Sequence, residues 1–65
     1  MRDYDTVVAF SNEGEEYGRE PYRLQAEGRP GARKAALKLS EDSRYDDPRI
    51  PGRTRKVVSC RRATS

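Results

Sequence analysis

The chain has 65 residues, of which 32% are hydrophobic and 38% are charged, and its formal net charge at pH 7 is +3. A chain this short can bury only about 60% of its unfolded surface, so we expect one small domain with a thin core. One cysteine excludes an internal disulfide, and the lack of histidine argues against a structural zinc site and removes the usual base of nucleophilic catalysis. The composition therefore predicts a non-enzymatic protein with no cofactor and no metal site.

Two further patterns predict where in the cell the protein is located. The sequence has no charged-then-apolar leader and no apolar run of about 18 residues, so we expect a cytoplasmic protein with no membrane partner.

The charge is distributed unevenly along the chain. Residues 1–28 hold three arginines and seven carboxylates, a charge of −4, whereas residues 29–65 hold eleven cations and four carboxylates, a charge of +7. Eleven of the fourteen cations are arginine, which favours bidentate contacts with phosphate or carboxylate. An arginine-rich codon usage is an alternative explanation of that bias.

The first half of the chain predicts two strands. Residues 4–10 are β-branched and aromatic, with Tyr4, Thr6, Val8 and Phe10 on one face. Residues 11–21 contain two glycines, a closing proline and four glutamates, which predicts an acidic loop. Residues 22–27 alternate between apolar and polar side chains and predict a half-buried strand.

The second half predicts a helix and a third strand. The apolar residues Ala32, Ala35, Ala36 and Leu39 follow the helical period, and Pro30 suits a first turn, so we expect a helix over residues 30–43. Residues 44–54 are rich in turn residues and predict a connection. Residues 55–62 contain a β-branched pair and predict a strand, and residues 63–65 form a tail.

This order predicts a single α+β domain over residues 1–65, a β-β-α-β unit in which a three-stranded sheet carries one helix on one face. A right-handed crossover through the helix makes the second and third strands parallel, and the first strand can lie between them. The predicted core consists of Tyr4 or Val7, Val8, Phe10, Tyr22, Leu24, Ala26, Ala35, Ala36, Leu39, Val57 or Val58, and Cys60.

The C-terminal third is the main candidate for binding. A regular last strand places Arg55, Val57, Ser59 and Arg61 on one face and Lys56, Val58, Cys60 and Arg62 on the other. Such a basic strand protects a sheet edge from unwanted pairing, or it neutralises nucleic-acid phosphates without reading bases. The candidate phosphate-binding residues are Arg49, Arg53, Arg55, Lys56, Arg61 and Arg62, extended by Arg33, Lys34 and Lys38 of the helix.

The predicted acidic loop offers an alternative site. There Tyr17 lies among carboxylates and could anchor a protein that has a basic surface. The candidate protein-binding residues are Glu13, Glu15, Glu16, Tyr17 and Glu20. Cys60 is interpreted as a small apolar strand residue rather than a reactive thiol.

In size and composition the chain resembles accessory proteins of phages and mobile elements, which dock on larger machines. The sequence thus favours an accessory protein that binds a nucleic acid or a nucleoprotein complex through its Arg-rich C-terminal surface. The alternative is an inhibitor or modulator that binds a host or defence protein through the acidic loop. A free sheet edge also makes a dimer conceivable.

Overall fold

Three strands and one α-helix form in the order β1 (Arg2–Asn12), β2 (Glu15–Ala26), α1 (Arg29–Leu39) and β3 (Arg53–Arg62). They belong to a computed structural model, which describes residues 1–63. A short 3-10 helix (Ser40–Asp42) continues α1, so the helical segment ends close to the predicted boundary. The predicted β-β-α-β order and the α+β class are confirmed.

The three strands form one antiparallel sheet in the order β2-β1-β3. Because both outer strands run opposite to β1, β2 and β3 are parallel to each other with β1 between them, as the crossover predicts. Pairing extends just past β3, since the N–H of Ala63 donates to the carbonyl of Asp3 at 2.9 Å. The rest of the predicted tail, Thr64 and Ser65, lies outside the described residues.

The hairpin that joins β1 to β2 corrects the sequence prediction. We expected a loop at residues 11–21, but only Glu13 and Gly14 separate the two strands. Their φ angles of 51° and 88° are the two consecutive positive values that a two-residue turn of the I′ type requires. The loop prediction was wrong because Glu15 and Glu16 occupy exposed strand positions and Glu20 a half-buried one, where polarity does not interrupt pairing.

Helix α1 covers one face of the sheet. Alternate residues of β1 are buried beneath it, as predicted: Tyr4, Thr6, Val8 and Phe10. Ala32 and Ala36 are fully buried against this row, and their small side chains let the helix approach the sheet closely. The core is therefore built around β1, the strand with neighbours on both sides.

Some residues that we predicted to lie in the core are exposed or only half-buried. Leu39 is 47% exposed and Ala35 is only half-buried, because Ala32 and Ala36 are the helix residues that meet the sheet. Of the paired alternatives, Tyr4 and Val57 pack in the core, whereas Val58 is exposed. The half-buried residues that pack on the core as predicted are Tyr22, Leu24 and Cys60.

Each outer strand contains one extra residue opposite β1. In β3 the extra residue is Val58, because Val57 pairs with Val8 and Ser59 pairs with Val7. This bulge interrupts the predicted alternation, so that Lys56 and Arg61 project from the same face. In β2 the extra residue is Tyr17, between the pairs formed by Glu16 and Gly18.

A glycine is needed where the Tyr45 ring lies on β2. A Cβ atom on Gly18 would lie 2.5 Å from Tyr45 Cδ1, and the centroid of the same ring lies 5.5 Å from that of Phe10, with the two rings tilted. We expect Gly18→Ala to lower the free energy of unfolding by about 1–3 kcal/mol, because the ring must move. Urea denaturation measures this loss.

Gly31→Ala is the matched control. A Cβ atom on Gly31 meets only Ala26 Cβ, at 3.7 Å, and Gly31 lies inside α1. Alanine is the better helix former, so this variant should be as stable as the wild type or more stable by about 0.5–1 kcal/mol. Equal losses in both variants would contradict the role given to Gly18.

Candidate nucleic-acid interface

The nine cations predicted to bind phosphate do not form one surface. Arg49, Arg53 and Arg55 lie in or after the connection that leads to β3, and all three contact carboxylates. Lys56, Arg61 and Arg62 are exposed on β3, and Arg33, Lys34 and Lys38 are exposed on α1.

Arg55 supports the end of α1. Its Nη1 donates to the carbonyl of Leu37 at 3.1 Å and to Ser40 Oγ at 3.0 Å, and Asp46 Oδ2 lies 3.9 Å away. The Leu37 carbonyl belongs to the last turn of α1, where carbonyls lack partners within the helix. The Arg55 side chain is only 26% exposed, so we assign it a structural role in holding the end of α1.

Arg53 and Arg49 each pair with a carboxylate in the connection that leads to β3. Arg53 Nε donates to Asp46 Oδ1 at 3.0 Å, and Arg49 donates to both carboxylate oxygens of Asp47. Hydrogen bonds from the side chain and then the backbone N–H of Arg49 hold the pKa of Asp47 below its ordinary value. Both guanidinium groups thus already have an anionic partner.

The sheet face opposite α1 carries cations from both outer strands. Arg19 and Lys56 flank Ala9, and Arg23 and Arg61 flank Asp5. The sequence did not identify the two β2 arginines as site candidates, although they fall four residues apart, on one face of an alternating strand.

The β2 arginines on this face are paired. Arg23 donates to both oxygens of Asp5, at 2.7 and 3.1 Å, and Arg19 binds Glu16 in the same way. The hydrogen bond from Arg23 lowers the pKa of Asp5, and that from Arg19 lowers the pKa of Glu16. Lys56 and Arg61 have no ion pair among residues 1–63.

Contacts at the end of α1 show which flank of the helix faces each outer strand. On the β3 side, Leu37 lines an open groove of about 520 Å³ with Thr54 and Arg55. On the β2 side, Leu39 lines an open groove of about 400 Å³ with Tyr22. Residues spaced by four along the helix lie on the same flank as these markers.

This spacing separates the helix cations. Arg33 precedes Leu37 by four residues and lies on the flank that faces β3. Arg29, four residues earlier, is rotated by about another 40° toward the sheet and stays on the β3 half of the helix surface. Lys38 lines a different groove, together with Leu39 and Asp42. It follows the buried Ala36 by two residues, a rotation of about 200°, so it points away from the sheet. Arg29 was not among the candidate phosphate-binding residues predicted from the sequence, although its spacing of eight residues from Leu37 can be counted there.

The edge of the domain formed by β3 and the adjacent helix flank is therefore strongly basic. We call it the basic flank. Its members are exposed and make no ion pair within the described part of the chain: Arg29, Arg33, Lys56, Arg61 and Arg62. Of the β3 members, Arg62 pairs with Tyr4 on the face that α1 covers, whereas Lys56 and Arg61 project from the other face of the sheet.

The opposite edge, which we call the acidic edge, holds several carboxylates beside Arg19 and Arg23 of β2. The β2 side carries Glu15, Glu16, Glu20, Glu41 and Asp42. Tyr17, the predicted anchor, is 37% exposed, its ring lies 6.4 Å from that of Phe10, and its hydroxyl donates to the carbonyl of Tyr45 at 2.5 Å. Both the ring and the hydroxyl of Tyr17 thus make contacts within the domain.

Comparison of the chain with models of protein families, with curated proteins and with solved structures found no match. Within residues 1–63, no group of three or more acidic, histidine or cysteine side chains is arranged to hold a metal ion. The same residues form no helix with the length and apolar character needed to cross a membrane.

Two arginines of β3 should differ sharply in their effect on stability. Arg55→Ala removes two hydrogen bonds from a charged donor, while Ser40 Oγ still donates to the Leu37 carbonyl at 2.6 Å, so we expect the free energy of unfolding to fall by about 1–3 kcal/mol. Arg61→Ala removes an exposed side chain and should change it by less than about 0.5 kcal/mol. Thermal or urea unfolding of both variants measures the difference, and equal effects would contradict the structural role of Arg55.

Proposed function

We propose that the protein binds the phosphate backbone of nucleic acid through the basic flank. The single observation that carries the proposal is that β3 and the neighbouring flank of α1 together hold five exposed cations without ion-pair partners among the described residues. Four of the five are arginines, whose planar guanidinium groups suit phosphate oxygens. Binding would release the counterions condensed on the nucleic acid, so affinity should fall as salt rises.

Protection of a sheet edge does not account for the whole flank. Charges on β3 alone would serve that purpose, because the free hydrogen-bonding groups belong to the strand. Arg29 and Arg33 lie on α1, whose backbone is not part of any sheet edge. Their presence beside the β3 cations favours a ligand that contacts both elements.

The alternative function, inhibition or modulation of another protein through acidic residues, uses the opposite edge. Glu16 is paired with Arg19, and the Tyr17 hydroxyl is occupied by the Tyr45 carbonyl. A protein partner would have to displace these contacts to use Tyr17 as an anchor. For this reason we favour the nucleic-acid hypothesis and keep the protein-binding hypothesis as its competitor.

Charge reversal on the basic flank tests the proposal. Arg61→Glu with Arg62→Glu should weaken binding of a fluorescent DNA or RNA by at least about tenfold at low salt, since two phosphate contacts become repulsive. Fluorescence anisotropy measures the affinity, and circular dichroism checks that the variant is folded.

The matched control reverses two exposed cations near the acidic edge. Lys38→Glu with Arg44→Glu changes the net charge by the same amount but leaves the basic flank intact. Affinity should then fall by no more than about twofold, the effect of net charge alone at a distance. Equal losses in the two variants, or no binding by the wild type at low salt, would refute the proposal.

A further inference from the structure

Leu39 lines two open grooves at the end of α1. One groove, of about 380 Å³, also includes Ala35, and the other, of about 400 Å³, also includes Tyr22. We call this pair the Leu39 grooves. We propose that they bind a basic segment of a partner protein, one in which apolar side chains lie between lysines or arginines. This second site does not depend on binding of nucleic acid, and it shares only Glu20 with the acidic-loop site predicted around Tyr17.

Leu39 provides the apolar part of the surface. It is exposed at the last position of α1, in a chain that has few large apolar residues. The half-buried Ala35 and Tyr22 extend the apolar surface on the groove walls. An apolar side chain of a partner that enters either groove removes part of Leu39 from water, which favours binding.

Three carboxylates around Leu39 determine the charge of the partner. Glu41 and Asp42 line the first groove, and Glu20 and Asp42 line the second. None of the three carboxylates forms an ion pair among residues 1–63. A basic segment would place cations beside them at the rim of an apolar contact, so charge complementarity favours it over a neutral or acidic partner.

The ionisation of Tyr22 reflects the same electrostatic environment. Burial raises the pKa of its hydroxyl above the ordinary value, and the negative charges of Glu20 and Asp42 raise it further. A hydrogen bond with Ser43 and the charge of Arg55 offset part of this rise in the pKa. The two carboxylates therefore act on groups inside the second groove, where they would stabilise a cation of the partner.

Two cations line the same grooves without pairing with these carboxylates. Lys38 points away from the sheet, and the guanidinium carbon of Arg44 lies 5.3 Å from the centre of the Tyr45 ring. Neither cation forms an ion pair within the described part of the chain. Three carboxylates against two cations leave the Leu39 grooves with a net negative charge.

The 3-10 helix that follows α1 is held firmly against the domain. Ser40 is fully buried, and its Oγ donates to the Leu37 carbonyl at 2.6 Å. The N–H of Ser43 donates to the Ser40 carbonyl at 3.1 Å, and Arg55 of β3 donates to Ser40 Oγ. A surface fixed in this way loses little conformational entropy when a partner binds.

Three labelled peptides of equal length test the proposal with the full chain. The first contains two leucines among lysines, the second has serine in place of each leucine, and the third has glutamate in place of each lysine. Fluorescence anisotropy at about 100 mM salt measures the three affinities. We expect the first peptide to bind at least about tenfold tighter than the others, because it alone matches both the apolar and the acidic groups of the grooves.

Leu39→Gln tests the apolar contact, and Val58→Thr is its matched control. Val58 is also exposed, but it lies on β3, outside the grooves. Leu39→Gln should weaken binding of the leucine-lysine peptide about tenfold, whereas Val58→Thr should change it less than about twofold. Circular dichroism checks that both variants are folded. In the wild type, the same peptide should shift the amide NMR signals of residues 38–44 and not that of Val58, which locates the site even if a variant is unfolded.

Glu41→Gln with Asp42→Asn tests the electrostatic contact. This pair should weaken binding of the leucine-lysine peptide about fivefold at low salt, because two of the three carboxylates lose their charge. Glu15→Gln with Glu27→Gln removes the same charge from exposed positions outside the grooves and should change the affinity less than about twofold.

The charge-reversed variants of the nucleic-acid test separate this site from the basic flank. Arg61→Glu with Arg62→Glu should change peptide affinity less than about twofold, although it weakens nucleic-acid binding. Lys38→Glu with Arg44→Glu should tighten peptide binding about threefold, because it replaces the two cations of the grooves with carboxylates.

Equal binding of the serine peptide, equal effects of Leu39→Gln and Val58→Thr, or NMR shifts confined to other residues would overturn the inference. A dimer in sedimentation experiments that Leu39→Gln dissociates would also overturn it, because a second copy of the chain would then occupy the grooves. A wild-type protein that binds the leucine-lysine peptide but no nucleic acid would overturn only the proposed function.

Discussion

Close contact between two alanines of α1 and the central strand is the interaction on which the rest of the structure depends. Ala32 and Ala36 are completely buried above the β1 row that contains Val8 and Phe10. Larger side chains at these positions would lift the helix from a sheet that has little other apolar surface to offer. The same contact fixes the flank of α1 relative to β3, so the basic flank exists only because the helix lies so close.

The fold was predictable from the sequence because its two periodicities are clean. Tyr4 to Phe10 alternate along a strand, and the pattern from Ala32 to Leu39 changes to the helical period, which is enough to define a β-β-α-β unit. The hairpin was not predictable in the same way. Its Glu13-Gly14 turn lies within a run of polar residues, and nothing in local composition distinguishes exposed strand positions from a loop.

The candidate site was predictable only as a region. The sequence shows that the C-terminal third is basic, but the bulge at Val58 decides that Lys56 and Arg61 share a face. The sequence also cannot show that Arg55 donates to a carbonyl at the end of α1, or that Arg53 is paired with Asp46. Such assignments depend on acceptors that only tertiary contacts bring near, so three arginines of one strand have three different roles.

The two bulges affect whether copies of the domain can pair through their sheet edges. Each outer strand departs from regular pairing once, at Tyr17 in β2 and at Val58 in β3, and Pro21 of β2 has no N–H to offer. Bulges increase local twist, and twisted or proline-containing edges are poor templates for a further strand. The shape of the backbone itself therefore opposes fibre-like aggregation at both edges of the sheet.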